Sequence, residues 1–311
     1  MSPYAQHLLL STGRMDWTSR IEDERDTASW GRLTSEMKGI LGRGGEFHDP
    51  YNNILISTSS FTPWEEQQQQ SSLETGKVDA ILFPAFKHIR SLTPSTAAST
   101  STTTSETATS HLLREFTRAF LLPERLHRIY DGIPNAERRA KTRDPTVATN
   151  LPISVDDINT TTILICSHGQ RDSRCGILGP LLHREFQAYI DSRCRSTTLE
   201  PADSTRYSAQ VQKFLAAADG SPSSEPVPVN IGTMSHIGGH KWAGNVIVYT
   251  PPNAAALTAG ARHPLAGKGI WYGRVEPCHV QGIVEETVLR GKVIRDLFRG
   301  GLDQDGSVIR L

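Results

Sequence analysis

The chain has 311 residues, 37% of them hydrophobic, with 33 Lys and Arg set against 33 Asp and Glu. That balance excludes a protein built to lie on phosphate backbones or anionic membranes, which demand a sustained basic surface, and no run approaches the about 18 apolar residues of a membrane-spanning helix. Four cysteines, Cys166, Cys175, Cys194 and Cys278, are too few for a disulfide-stapled secreted fold.

Met1–Gln6 carries no positive n-region, and Leu8-Leu9-Leu10 is too short for the apolar core of a signal peptide. Asp16, Glu22, Asp23 and Glu24 are foreign to a mitochondrial presequence. The cysteines are therefore expected in a reducing compartment. At roughly 100–200 residues per domain, the length fits two domains.

In chain order, His7–Thr12 reads as a buried strand closed by Gly13, and 18–41 as a helix ended by Gly42, Gly44 and Gly45. Asn53–Ser57 and Ala80–Phe83 are strand candidates, with the polar run Gln67–Gln70 between them as a solvated loop. Residues 91–110 contain 14 Ser or Thr and cannot bury enough apolar surface to offset their ordering entropy, so they are predicted disordered. Leu112, Leu113, Phe116, Ala119 and Phe120 then follow a helical spacing up to Pro123. Residues 131–158 are polar and read as an irregular linker between an N-terminal domain, 1–130, and a C-terminal one, 159–311.

The second half opens with a β-branched strand, 160–166, followed by a helix over Gly179–Cys194 introduced by Pro180. Val227–Ile231, Asn245–Thr250 and Ile270–Val275 are further strands. A last helix is predicted over His279–Phe298, stopped by Gly300-Gly301. This order predicts an α/β fold of thioredoxin type.

Two pairs of candidate ligands stand out. Cys166 and Cys175 enclose the polar spacer SHGQRDSR, the first at a strand end and the second just before a helix. His236 and His240 form H-x3-H within MSHIGGHKWAGN. Two adjacent glycines, each costing about 1 kcal/mol in a helix, make that segment a loop whose backbone can approach a bulky inorganic group. Two thiols and two imidazoles suit either zinc or an iron–sulfur centre, and spacing alone does not choose between them. Cys194 and Cys278 read as packed or spare thiols, and nothing calls for His168 or His183 as a fifth ligand. Arg171, Arg174 and Lys241 flank the ligands as solvated charges or as a greeting for an acidic partner, and Trp242 reads as packing. No G-x-G-x-x-G follows a strand, and no carboxylate pair marks an acid/base couple for hydrolysis.

C-x8-C followed by H-x-G-G-H and AGN resembles the sucrase/ferredoxin-like family. WYGRVEPCHVQGIVEETVLRG, Trp271–Gly291, is similar to the ending of thioredoxin-like ferredoxins, and HLLLSTGRMDWTSRIEDE to the start of the fungal altered-inheritance-of-mitochondria type. The resemblance implies two thioredoxin-like domains, the C-terminal one a thioredoxin-like ferredoxin with a [2Fe–2S] cluster on Cys166, Cys175, His236 and His240. Neutral imidazoles in place of two thiolates make a cluster less anionic, which raises its potential by on the order of hundreds of millivolts in the Rieske comparison, and makes that potential depend on pH.

The implied role is electron transfer in mitochondrial redox homeostasis, fed by a reductase, relieved by an acceptor protein and loaded by iron–sulfur assembly machinery. The competing reading is a zinc-stabilised Cys2His2 adaptor with no redox activity. The resemblance places the protein in the mitochondrial matrix, with the cytosol as alternative because no presequence is visible. No cysteine precedes Cys166, so dithiol exchange by the N-terminal half is not expected, and that half is assigned a docking or scaffold role.

Overall fold

The computed structural model describes residues 3–63, 76–94, 111–195, 212–215, 227–256 and 261–310. Its strands are β1 (Gln6–Ser11), β2 (Ile54–Ser59), β3 (Val78–Phe83), β4 (Lys87–Leu92), β5 (Ser154–Asp157), β6 (Thr161–Cys166), β7 (Gln212–Leu215), β8 (Val227–Met234), β9 (Val246–Tyr249), β10 (Gly269–Tyr272), β11 (Phe298–Leu302) and β12 (Val308–Ile309). The principal helices are α1 (Ser29–Leu41), α2 (111–121), α3 (Asn135–Lys141), α4 (Ser173–Arg195) and α5 (277–289). The strands form one mixed sheet in the order β12-β11-β10-β9-β6-β8-β2-β1-β3-β4-β5, with β7 on β8.

Strand alternation explains how this sheet is covered. Leu8 and Leu10 of β1 pack against Trp30, Leu33 and Met37, buried one turn apart along α1. Ile163 and Ile165 of β6 pack against Leu182, Phe186 and Ile190 of α4. The residues between them face the other way. Leu9 and Phe83 from the first half meet Leu164, Cys166, Ile247, Tyr249 and Trp271 from the second in a shared core. The halves of the sheet therefore lie face to face with their helices outside. Phe83 and Tyr249 stack across the seam at 3.8 Å, parallel. The Tyr249 hydroxyl bonds Tyr4 OH at 2.9 Å and His7 Nδ1 at 3.0 Å, and Trp271 Nε1–H donates to Tyr4 OH at 2.6 Å.

Among the described residues, the strands of the N-terminal β2-β1-β3-β4 run and of the C-terminal run pair directly where β2 and β8 end. Ser59 and Met234 are their single registered pair. Around it, Ser60 N–H donates to Thr233 O at 3.0 Å and Ser235 N–H to Thr58 O at 2.9 Å, while each serine hydroxyl accepts the reciprocal amide. Since β1 is parallel to β2, and β6 to β8, the carboxyl ends of both parallel pairs point into this corner.

Several expectations are revised. The helix expected over 18–41 is a short turn at Ile21–Glu24 followed by α1. The helix in the second half begins at Ser173, not Gly179, so Pro180 lies inside it and Cys175 in its first turn. The last helix stops before Gly291, which takes a positive φ of 66°, and Gly300-Gly301 belong to β11. Residues 131–158 carry α3 and the edge strand β5, which pairs with β4 and is held by Arg90–Asp156 at 2.7 Å. Ser91 and Leu92 close β4, whereas 95–110 and Gln67–Gln70 lie outside the described residues. Among the described residues no helix is long and apolar enough to cross a membrane.

Candidate metal centre

The parallel pairing of β6 and β8 sets Cys166 opposite Met234, so Cys166 and the loop carrying His236 leave the sheet at the same edge. Cys166 N–H is held by Asn245 O at 3.0 Å and Ser167 N–H by Met234 O at 3.1 Å. The chain then turns through 167–172 into α4. Asp172 caps that helix: its Oδ1 accepts Arg174 N–H at 3.1 Å, and its carbonyl takes Cys175 N–H at 2.9 Å. Two glycines let the turn lie flat on the helix. A Cβ at Gly176 would sit 2.7 Å from Gly169 Cα, and one at Gly179 only 2.5 Å from Ser167 Cα. The histidine loop needs Gly238 and Gly239 for a different reason, since both hold positive φ, at 108° and 77°.

These elements bring Cys166, Cys175 and His236 together, with one donor atom from each within 4.8 Å of the others. His236 Nδ1 lies 3.8 Å from both sulfurs. The two cysteines are free and fully buried, and His236 is half-buried. Cys175 is held down to about 5, chiefly by the hydrogen bond from Cys166 and further by His236. Its place in the first turn of α4 also favours a thiolate. Cys166 is pushed well above the ordinary thiol range by its contact with Cys175, and by burial. One sulfur is thus prepared as an anion while the other keeps the shared proton.

Arg299 of β11 faces this group. Burial lowers its guanidinium to about 10, while the neighbouring Cys166 pulls in the opposite direction. It bonds Asn245 Oδ1 and lies 4.8 Å from the ring centre of Trp242, which Arg274 approaches at 4.7 Å. Trp242 is therefore packed among cations, Lys241 lying 5.4 Å from its ring centre as well. Nothing in the sequence marks Arg299, because only the pairing of β11 with β10 brings it there.

The N-terminal half closes the site from above. Ser167 Oγ donates to Met15 O at 2.6 Å, and Asp16 Oδ1 accepts Gln170 N–H at 3.3 Å. His168 is buried between them. Its Nε2 lies 2.9 Å from both Trp17 O and Thr18 O, and its Nδ1 is 3.1 Å from His236 N. Carbonyls only accept and the amide only donates, so the proton resides on Nε2. Burial lowers the pKa of His168, consistent with a neutral ring.

The remaining candidates fall as follows. His240 opens the short turn His240–Trp242, and its side chain lies outside the described residues, as does that of Cys194 near the end of α4. Cys278 is exposed at the start of α5. His183 sits on α4 and does not join the group. Arg171 reaches Ser19 Oγ at 3.4 Å, and Arg174 is paired with Asp172 at 3.0 Å.

Fold and donors together define a mixed α/β protein with a Cys2His group, its two sulfurs buried, that could hold a metal ion. The chain belongs to the sucrase/ferredoxin-like family, whose model it matches over residues 1–300. It is similar to the altered inheritance of mitochondria protein 32 of Meyerozyma guilliermondii, 31% identical over 60% of this chain and 50% of that one. The proteins of the same name from Clavispora lusitaniae and Debaryomyces hansenii are 32% identical over 60% of this chain and 51% of theirs, and 35% over 46% and 37%. The chain spans about half the length of the curated relatives it matches. No solved structure matches it.

Proposed function

We propose that the protein is an electron carrier that holds a [2Fe–2S] cluster on Cys166, Cys175, His236 and His240. The observation that supports this most is the convergence of two buried sulfurs and one imidazole nitrogen within 4.8 Å, at the ends of two parallel strands. The donor set fits such a group. Cys175 is prepared as a thiolate, and the glycines before His240 let backbone pass close to a bulky inorganic core. Bound there, the cluster would supply one-electron redox chemistry. The chain's own part is to exclude water with the seam between the half-sheets, to place Arg299 as a compensating charge, and to hold a proton on the remote nitrogen of the imidazole.

The order β2-β1-β3-β4 in one half and β8-β6-β9-β10 in the other, each parallel pair linked through a helix, supports reading 1–130 and 159–311 as two thioredoxin-like units. On this reading the partners are a reductase, an acceptor protein and the cluster-assembly machinery. The name of the relatives supports a mitochondrial setting, with the matrix as the proposed location.

Protein purified without oxygen is expected to be coloured, with about two irons and two sulfides per chain. Cys166→Ala is expected to lose both, and His236→Cys to keep a cluster at lower potential. Colourless protein carrying one zinc would transfer the same residues to the structural-metal reading. Iron retained at the parent level in Cys166→Ala would sink the ligand assignment.

A further inference from the structure

Sequence alone gives His168 no task, yet its side chain touches both the ligand loop and the N-terminal half. We infer that His168 is a positioning residue, through which the segment Met15–Thr18 fixes the backbone that carries His236. The inference rests on reading Cys166, Cys175 and His236 as metal ligands.

Three bonds carry it. The buried imidazole spans from Trp17 O and Thr18 O, each at 2.9 Å, to the amide of His236 at 3.1 Å. Trp17 is itself locked, its ring 5.9 Å from His168 and edge-on to it, and its Nε1–H donating to Thr12 Oγ1 at 3.0 Å. Ser167 beside it is tied to Met15 O. His168 is thus braced on one side by rigid structure and presents a single acceptor to the other. The loop it meets contains Gly238 and Gly239, whose freedom would otherwise let His236 wander. A short side chain could not bridge this gap. An aliphatic one would bury the His236 amide without a partner.

The test uses the full chain in its metal-free form and Co2+ as the probe, since its visible spectrum reports thiolate and imidazole ligation. His168→Leu is expected to raise the Co2+ dissociation constant about 10- to 100-fold, the usual effect of losing an outer partner of a ligand. It is also expected to speed hydrogen exchange of the His236 amide at least as much. His168→Asn, whose carboxamide oxygen replaces the Nδ1 acceptor but reaches neither Trp17 O nor Thr18 O, is expected to fall between the parent and the Leu variant in both measurements.

Parent-like cobalt binding and exchange in His168→Leu would overturn the inference, as would equal weakness of the Leu and Asn variants, which signals packing alone. Should the Leu variant fail to fold, the nitrogen resonances of the parent decide. Protonation at Nε2 with a scalar coupling from the His236 amide to Nδ1 sustains the inference, and protonation at Nδ1 ends it. A parent that binds Co2+ but never iron and sulfide would defeat the cluster reading and leave this one standing. A parent that binds no metal would defeat the metal reading, while amide exchange would still judge His168.

Discussion

His7 shows what burial does to a single titratable group. The ring sits wholly inside the seam, bonded at Nδ1 to Tyr249 and at Nε2 to Ser57 Oγ at 2.5 Å, and desolvation pushes its pKa down to about 3. In the unfolded chain it titrates near about 6.5. Between those values the unfolded state binds a proton that the folded state refuses. His7 therefore contributes full stability above about pH 6.5 and loses it as the pH falls toward 3, at about 1.4 kcal/mol per pH unit. Urea unfolding at pH 7, 6, 5 and 4 should show a shallower decline for His7→Gln than for the parent, whatever the offset at pH 7. Equal slopes would mean that His7 is charged in the fold. Cys166, Cys175 and His236, which converge into a group that could hold a metal ion, stand out in the sequence by residue type and spacing. His168 and Arg299 are not, because an outer partner is defined only by what tertiary structure sets beside it.

Glycine separates local preference from packing within the helices. Gly39 in α1 has open space where a Cβ would go, whereas Gly179 in α4 faces the backbone of Ser167 and Cys166 at 2.5 and 2.7 Å. Gly39→Ala should therefore raise stability by about 0.5–1 kcal/mol through helix propensity. Gly179→Ala gains the same propensity but must displace main chain that cannot yield cheaply. It should lower stability by about 1–3 kcal/mol and impair metal uptake, because the strand end it displaces carries Cys166. Thermal melts of the two variants with and without Co2+ check the pair, and a stabilised Gly179→Ala would refute the close approach.

The same contrast shows where element boundaries misled. Pro180 marks a helix start by its usual preference, yet Asp172, a better cap, sets the true start at Ser173, after the turn from β6. Gly291 ends α5, a signal hidden behind the more obvious Gly300-Gly301. Apolar strands such as β1 and β6 announce themselves. The edge strands β5 and β12 are short and polar or half-exposed, and only their partners make them strands.

The whole molecule is organised by the seam. Alternating positions in β1 and β6 divide their side chains between two outer cores and one shared inner core, and that inner core includes both cysteines. The α/β class and most of the central strands follow from composition and periodicity. That the halves share a sheet and a core does not, because the contacts of Tyr4 with Tyr249 and Trp271 span most of the chain. Phe83 is the sharpest test of the seam: it is fully buried, stacked on Tyr249 and edge-on to Phe86 at 5.2 Å. Phe83→Ala should cost about 3–5 kcal/mol. Because the affected core contains Cys166 and Cys175, unfolding followed by fluorescence and by cobalt release should shift together. Cobalt release unmoved by Phe83→Ala would show the centre to be independent of the seam.

The corner where β2 and β8 end has one more consequence. Few main-chain bonds cross it, and the strap from Met15 to Thr18 is anchored on residues lying between the two thiols. An ion gripped by those thiols would act as a rivet for the hinge line: whatever free energy it gains by preferring the closed form also resists splaying of the two halves. Stripping it with a chelator would then loosen the N-terminal half, which contributes no sulfur of its own, and a protease would register the loss far from the ligands.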